Sequence, residues 1–525
     1  MRVLALDGID ERGLNILREA GLEVTAQGKM NEEELKDAIR DYDALIVRSA
    51  TRVTAAAINA AKRLKIIGRA GVGTDNIDVG VATERGIVVV NAPEGNTVAA
   101  AEHTMAMMLA LARNIPQANA ALKQGIWEKK KYVGVELRGK TLGIVGLGKI
   151  GREVARRARG MEMKVMAYDP YVDPEQAARL EVELASLEDL LKNADFVTVH
   201  LPLTKETKHL LGREELALLK PGARVLNVAR GGIIDEEALY ESLKSGHLAG
   251  AALDVFEEEP LKKSPLLELD NVIVTPHLGA STEEAQVAVA VEVAHDIVRC
   301  LRGEPVLNAV NIPVVRGHVA EVLRPYLQLA EKLGGFLAQL MESPIIAAEI
   351  CYNGELAQYD LAPLTSSFLK GLLRPLLADA VNYVNAPLVA KKRGIRIREK
   401  KSREMEYFAN LISVKVEGRR ESHRLAGTVN QSGEPRVVNL DGYSVDASPS
   451  GHMLVVPHID RPRIVGPVAM VIGDHKINIA GMQVGRQEIG GEAVMLISVD
   501  NEVPREALQA IRRVDGVLDV RYIHL

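Results

Sequence analysis

LGIVGLGKIG, residues 142–151, is the stretch from which the rest of this chain is read. Residues 142–145 form an apolar run of strand length, and Gly146, Gly148 and Gly151 follow in G-x-G-x-x-G spacing. Gly146 permits a tight turn, Gly148 lets a pyrophosphate approach the backbone, and Gly151 lets the next helix pack close to the strand. A helix starting near residue 149 then turns its unpaired N–H groups and the positive end of its dipole toward the phosphates. Glycine recurs at many strand-to-helix turns, so the spacing gains its force from context. A second apolar run, 165–168, ends in Asp169, whose carboxylate is placed to accept from ribose hydroxyls and to repel a 2′-phosphate. The reading is a dinucleotide site that prefers NAD to NADP.

Composition bounds what surrounds this turn. A chain of 525 residues is too long for one core and predicts about three or four domains. With 47% hydrophobic and 26% charged residues it reads as soluble and globular. A net charge of −5 and a pI near 6.2 give no general attraction to nucleic acid or to an anionic membrane. The basic runs Lys129-Lys130-Lys131 and Lys391-Lys392-Arg393 read as solvated faces. Cys300 and Cys351 lack metal-type or C-x-x-C spacing, so neither a disulfide framework nor a metal site is expected. The opening MRVLALDGID reads as a first strand and not a leader. The most apolar predicted helix, 97–112, is interrupted by Glu102 and His103 and is too short for a bilayer. A cytoplasmic protein without a membrane partner is expected.

Before the glycine turn, apolar β-rich runs at 3–6, 44–47, 64–67 and 87–90 alternate with amphipathic segments such as 31–40 and 54–62. This is the rhythm of an open parallel sheet, whose ligands bind beyond the carboxyl ends of the strands. Those ends carry Arg48-Ser49, the RAGVGTD stretch with Arg69 and Gly71, and the NAPEGNT stretch with Asn96 and Thr97. Two guanidinium forks and a glycine-rich backbone suit a small anion. A long helix, 97–122, leads into a second series with strands predicted at 142–145, 165–168, 196–200, 224–228, 249–253 and 272–274. A further helix, 281–301, has Ser281 or Thr282 as its N-cap and Glu283 and Glu284 in its first turn. It returns the chain to the first lobe, making that lobe discontinuous.

Three strand ends of the second series carry polar residues that burial does not call for: Arg230 in NVARGGIIDE, Glu259 in LDVFEEEP and His277 in TPHLGAST. Oxidation of a 2-hydroxy acid by hydride transfer needs a cation for the carboxylate and carbonyl oxygen, and a base for the hydroxyl proton. Arginine suits the first task and histidine the second. A carboxylate bonded to the histidine fixes its ring and favours its protonated form.

VGLGKIG, VHLPLTKETKHLL, LNVARGGIIDEEAL, AALDVFEEEP and VTPHLGAST together resemble the signatures of the D-isomer-specific 2-hydroxyacid dehydrogenases. RAGVGTDNID, NAPEGNTVAAAEH and the overall length bring the chain nearest to the long, four-domain phosphoglycerate branch of that family. The resemblance implies NAD as cofactor, Arg230 as carboxylate clamp, His277 as acid–base group and Glu259 as its orienting partner. It also implies cofactor contacts at Gly146, Gly148, Lys149, Ile150, Gly151, Asp169, Arg230, Asp254, His277, Gly279 and Ala280. Substrate contacts are implied at Arg48, Ser49, Arg69, Gly71, Asn96, Thr97, Arg230 and His277. The implied reaction oxidises 3-phosphoglycerate to 3-phosphohydroxypyruvate at the head of serine synthesis. Two other readings stand beside it: a glyoxylate or hydroxypyruvate reductase, and an NAD-sensing corepressor that binds protein partners.

The last third carries no catalytic pattern before residue 452. Helices are predicted at 320–341 and 366–380, with strands at 344–351, 411–416 and 437–440. Residues 452–525 run strand, helix, strand, strand, helix, strand, the split β-α-β plan. They resemble an ACT domain, a module that pairs with its own copy and binds amino acids. That resemblance implies L-serine as effector, at His458, Asp460 and Asn478. Two positions depart from it: Asp460 stands where several relatives have Asn, and Arg463 where the family has Gly.

The expected architecture is therefore α/β, with two doubly wound parallel-sheet domains followed by an α+β intervening domain and a ferredoxin-like ACT domain. The expected limits are 1–96 plus 287–312 for the substrate lobe and 97–286 for the NAD-binding Rossmann domain. The intervening domain would take 313–451 and the ACT domain 452–525. The apolar helix and the ACT-like module both suggest a homodimer or homotetramer.

Overall fold

The computed structural model describes residues 1–313, 318–403 and 408–525; residues 314–317, at the expected start of the intervening domain, lie outside the described residues. The first sheet holds β1 (Arg2–Ala5), β2 (Glu23–Ala26), β3 (Ala44–Val47), β4 (Ile66–Arg69) and β5 (Val88–Asn91), all parallel in the order β2-β1-β3-β4-β5. Its central strands β3 and β4 are apolar up to Arg69 at the end of β4 because helices cover both faces. The edge strand β2 is not among the strands expected, since only half of its EVTA segment is sheltered.

The second sheet has seven parallel strands in the order β12-β11-β10-β9-β6-β7-β8. They are β6 (Thr141–Val145), β7 (Lys164–Tyr168), β8 (Glu183–Leu184), β9 (Phe196–Val199), β10 (Arg224–Asn227), β11 (Gly250–Leu253) and β12 (Val272–Val274). Strand order reverses between β6 and β9, which opens a crevice at the carboxyl ends where the glycine turn sits. The two-residue β8 adds one strand to the six expected.

The long helix predicted over 97–122 is two helices, Thr97–Arg113 and Ile115–Lys123. Asn114 divides them in the left-handed conformation, φ 52° and ψ 36°, and Pro116 then restarts the helix in its first turn. The Glu283–Leu301 helix packs on the first sheet: Leu14, Leu17, Val293 and Ile297 share one core. The approach is close because Gly13 and Gly68 have no side chains; a Cβ on Gly13 would lie 2.8 Å from the Ala290 carbonyl oxygen.

The third sheet is mixed: β13 (Ile345–Gly354), β14 (Arg396–Ser402), β15 (Asn410–Gly418), β16 (Ser422–Val429), β17 (Pro435–Leu440) and β18 (Tyr443–Ala447), in the order β14-β13-β15-β16-β17-β18. Helices His318–Leu340 and Ala362–Leu377 lie against it, with Leu333, Phe336, Phe368 and Val414 in the shared core. The fourth sheet is antiparallel, β20 (Ile479–Arg486), β21 (Glu492–Val499), β19 (His452–Ile459) and β22 (Arg521–His524). Its helices Val465–Asp474 and Arg505–Arg512 pack on one face. Met453, Val455, Val494 and Leu496 on the other face belong to the core of the third unit, so these two units share one interior. The third unit also touches the first sheet's lobe, through Asn382 Nδ2 donating to the Gly86 carbonyl (2.8 Å) and the Lys392–Glu84 ion pair (2.9 Å). No helix among the described residues is long and apolar enough to cross a membrane.

Candidate active site

At the end of β6 the chain turns with Gly146 at φ +99°, where a Cβ would lie 2.6 Å from the His200 carbonyl oxygen. Gly151 sits so close under the turn that a Cβ would come within 2.2 Å of the Gly146 oxygen. Gly148 is the N-cap of helix Lys149–Gly160, carries no side-chain cap, and faces open space where a Cβ would be. The first helical N–H groups are thus presented to that space without a protein acceptor of the usual capping kind, which suits an anion. Asp169 closes β7: its Oδ2 accepts from Leu147 N (2.9 Å) and its Oδ1 from Tyr171 N (3.0 Å), which fixes the carboxylate beside the turn. Lys149 reaches the other way, to Glu94 at 2.9 Å on the first lobe, and Ile150 is half-buried. A glycine cradle, an uncapped helix start and an oriented carboxylate fit a dinucleotide.

Arg230 follows β10 in a turn held by Asn227, whose Oδ1 accepts from Ala229 N (3.0 Å) and whose Nδ2 donates to the Arg230 carbonyl (2.8 Å). Its guanidinium crosses to the first lobe, with Nε donating to Asp75 Oδ2 at 3.1 Å. Glu259, on the loop after β11, accepts from Phe256 N through Oε1 (3.1 Å) and meets His277 Nδ1 through Oε2 at 2.8 Å. Burial pushes the Glu259 carboxyl up, but the hydrogen bond and charge of His277 outweigh it and hold it below the usual range. With Nδ1 engaged, proton exchange with a ligand falls to His277 Nε2.

The turn that presents His277 is itself anchored. His277 has φ +55°, and its backbone N–H donates to the Asp254 carbonyl at 2.8 Å. The Asp254 carboxylate is fully buried and accepts from Leu278 N (2.7 Å), Gly279 N (2.8 Å) and Thr275 Oγ1 (2.5 Å), with His103 Nε2 at 3.4 Å. Burial raises its carboxyl and this set of donors, His103 foremost, brings it below the ordinary aspartate value. Ala280 follows in the same turn, half-buried.

On the facing lobe, Arg69 is largely buried at the end of β4. Burial, then the neighbouring charges of Arg230 and Arg48, lower its guanidinium to about 10. Arg69 Nε and Asn96 Oδ1 are buried without a hydrogen-bond partner among the described residues. Gly71, at φ +148°, leaves room for the Arg69 head, which a Cβ would strike. Asn96 is the N-cap of helix Thr97–Arg113 but makes no side-chain cap, so neither its amide nor the first turn at Thr97 is satisfied in that way. Arg48 is tied through its backbone to Asp7 and Asn76, and Ser49 beside it is exposed. The charges of Arg230 and Arg48 bearing on Arg69 favour an anionic ligand, and the orphaned Arg69 Nε is a donor to which it would bond.

The sequence reading did not single out His103, Thr275, Asn227 or Asp75 as part of this site. His200 also borders it: burial lowers its ring to about 4, and Nδ1 is buried without a partner among the described residues while Nε2 meets Thr198 Oγ1 at 3.1 Å. In the fourth unit the predicted effector residues are each bonded separately. His458 is buried with Nδ1 on the Val456 carbonyl, Asp460 Oδ2 accepts from Arg486 and Gly490, and Asn478 Nδ2 donates to Asp500. Arg463 stands at φ +71°, the conformation that favours glycine.

Known proteins match this chain along its whole length. Residues 105–279 match the D-isomer specific 2-hydroxyacid dehydrogenase, NAD binding domain. Residues 322–441 match the D-3-phosphoglycerate dehydrogenase intervening domain, and residues 452–516 the ACT domain. The D-3-phosphoglycerate dehydrogenase of Methanocaldococcus jannaschii is 48% identical over 526 residues, covering 100% of both chains. That of Synechocystis is 47% identical over 525 residues, covering 100% of this chain and 95% of its own. Among solved structures, the TT0316 protein of Thermus thermophilus is 39% identical with a TM-score of 0.56, covering 59% of this chain and 100% of that one.

Proposed function

The chain belongs to the D-3-phosphoglycerate dehydrogenase family, and from that premise we propose that it oxidises 3-phosphoglycerate to 3-phosphohydroxypyruvate, the reaction that opens L-serine synthesis. It is an NAD-dependent 2-hydroxyacid dehydrogenase. The observation that carries the substrate is the pairing of His277 with Glu259 at 2.8 Å opposite a cleft with Arg48, Arg69 and Arg230.

In this reading the substrate carboxylate lies against Arg230, which trades its contact with Asp75 for a two-pronged one. The phosphate is drawn to the Arg48 and Arg69 side, where Arg69 Nε gains an acceptor in the ligand. The C2 hydroxyl faces His277 Nε2, which takes its proton; the resulting imidazolium is held by Glu259 at Nδ1. NAD would supply the hydride acceptor, and Gly146, Gly148, Lys149, Ile150, Gly151 and Asp169 are the residues that would hold it. Arg230 keeps the substrate in line for transfer, so that proximity adds to acid–base help.

A ligand with both carboxylate and phosphate uses the whole cluster. The expected kcat/KM for 3-phosphoglycerate with NAD therefore exceeds that for unphosphorylated D-glycerate by at least about 100-fold, since losing one paired anion costs about 3 kcal/mol. Equal values for the two acids would favour the reductase alternative. L-serine is the proposed effector of the terminal ACT module, at His458, Asp460 and Asn478. A homodimer or homotetramer is proposed as well, supported by the exposed Ile115, Leu122, Ile126, Trp127 and Val133 around helix Ile115–Lys123. A monomer in sedimentation at micromolar concentration would contradict it. A cytoplasmic setting completes the reading.

A further inference from the structure

Helix Thr97–Arg113 is apolar along most of its length, and the adjacent ionisable residues Glu102 and His103 go to different partners. Glu102 pairs with Arg157 of the Lys149–Gly160 helix at 3.1 Å, an ordinary tie between neighbouring helices. His103 goes to the strand ends: its Nε2 lies 3.2 Å from Thr275 Oγ1 and 3.4 Å from Asp254 Oδ1. We propose that His103 is a positioning residue for the catalytic imidazole, holding Thr275 and Asp254 and, through them, the turn that presents His277. The inference rests on the reading of His277 as the acid–base group.

Hydrogen-bond accounting gives the direction of the chain. Thr275 has one hydroxyl proton, and at 2.5 Å it is given to Asp254 Oδ1. Toward His103 the threonine oxygen can therefore only accept, so His103 carries its proton on Nε2. Asp254 then meets His103, Thr275 and the backbone N–H groups of Leu278 and Gly279, a set that leaves its buried charge matched on each side. The His277 N–H donates to the backbone carbonyls of Asp254 and Thr275, at 2.8 and 3.0 Å, the two residues His103 touches. His277 also sits at positive φ, a conformation a side-chain-bearing residue keeps only when its surroundings impose it. Removing the His103 donor loosens that frame without touching substrate or cofactor.

The helix gives this contact a second meaning. Its first residues, Asn96 and Thr97, are those read as substrate contacts, and His103 lies six positions beyond Thr97, about 9 Å along a rigid rod. One element thus sets both the substrate end and the base end of the site. A histidine serving only as filler would be replaceable by an apolar side chain, as Met107 and Met108 fill the turn after it.

The test compares His103→Leu, His103→Gln and Thr275→Val in the full chain with NAD and 3-phosphoglycerate. Leucine keeps the volume and loses the donor, and glutamine keeps an N–H at similar reach. The expected result is a kcat lower by on the order of 10-fold in His103→Leu, with KM for 3-phosphoglycerate within about twofold and most of kcat restored in His103→Gln. Thr275→Val should lose a similar factor, and the double variant His103→Leu with Thr275→Val no more than either alone, because the two share one chain of bonds. Unchanged kcat in His103→Leu overturns the proposal, as does equal loss in Leu and Gln that follows a common fall in Tm. If His103→Leu fails to fold, Thr275→Val and His103→Gln decide it by the same criteria. A wild-type chain with no turnover on any 2-hydroxy acid would instead strike the catalytic reading on which the proposal rests.

Discussion

Asp254 shows how one residue fixes the chemistry of another. It is buried, and its carboxylate holds the turn of His277. Its carboxyl lies below the ordinary value in the fold, so the ionised form stabilises the native state above the usual aspartate range. That contribution is lost as pH falls through the still lower folded value. Asp254→Asn is therefore expected to be about 2 kcal/mol less stable at neutral pH. Its Tm should also fall less steeply than that of the wild type between about pH 5 and pH 3. Parallel Tm curves over that window would contradict the assignment. The sequence makes Arg230, Glu259 and His277 visible because each follows an apolar strand, in a turn or loop where packing has no use for a charge. Thr275 and Asn227 are not visible in the same way, since either is an ordinary turn residue until its partner in space is known. His103 leaves a trace only as a polar interruption of an apolar helix, which says that it has a partner and not which one.

Among the elements, the parallel strands and the glycine turn are legible because short apolar runs alternate with amphipathic ones. The split of the long helix at Asn114 is harder to read. Asn114-Ile-Pro116 contains the signal for a left-handed residue followed by a new helix start, but the apolar periodicity runs on across it. β14 is missed for the opposite reason: RIREKKS is charged along an exposed edge, and charge reads as loop when only one face needs cover. Close packing is invisible until the partner is known. Gly371 lies where a Cβ would come within 1.9 Å of the Glu331 carbonyl oxygen, and Gly334 where one would come within 2.2 Å of the Phe368 oxygen. These two glycines let the His318–Leu340 and Ala362–Leu377 helices touch backbone to backbone. Gly371→Ala must push them apart and is expected to lower stability by about 2 kcal/mol, read as a shift in the urea midpoint. A midpoint within error of the wild type would mean that the helices are not held at that distance.

At the scale of the whole molecule, the catalytic half and the terminal half meet, among the described residues, at the Asn382–Gly86 bond and the Lys392–Glu84 pair. Within the catalytic half, the Arg230–Asp75 and Lys149–Glu94 pairs bridge the two lobes across the cleft. None of these junctions can be read from the chain, because each joins residues whose local surroundings are ordinary surface. The terminal module's plan is legible from its strand and helix order, and the departure at Arg463 gains meaning from its φ of +71°. A bulky side chain there carries backbone strain that glycine avoids, so Arg463→Gly should raise stability by about 1 kcal/mol. It should also let L-serine inhibit at lower concentration than in the wild type, with kcat in its absence unchanged. Equal serine sensitivity in both chains would remove Arg463 from effector control. The central claim is that His277, oriented by Glu259, performs the proton transfer for oxidation of the acid held by the arginines. Steady-state NADH formation from 3-phosphoglycerate by His277→Asn tests it most directly: kcat should fall by about 10² to 10⁴ while NAD still binds, and near-normal turnover in that variant would contradict the account.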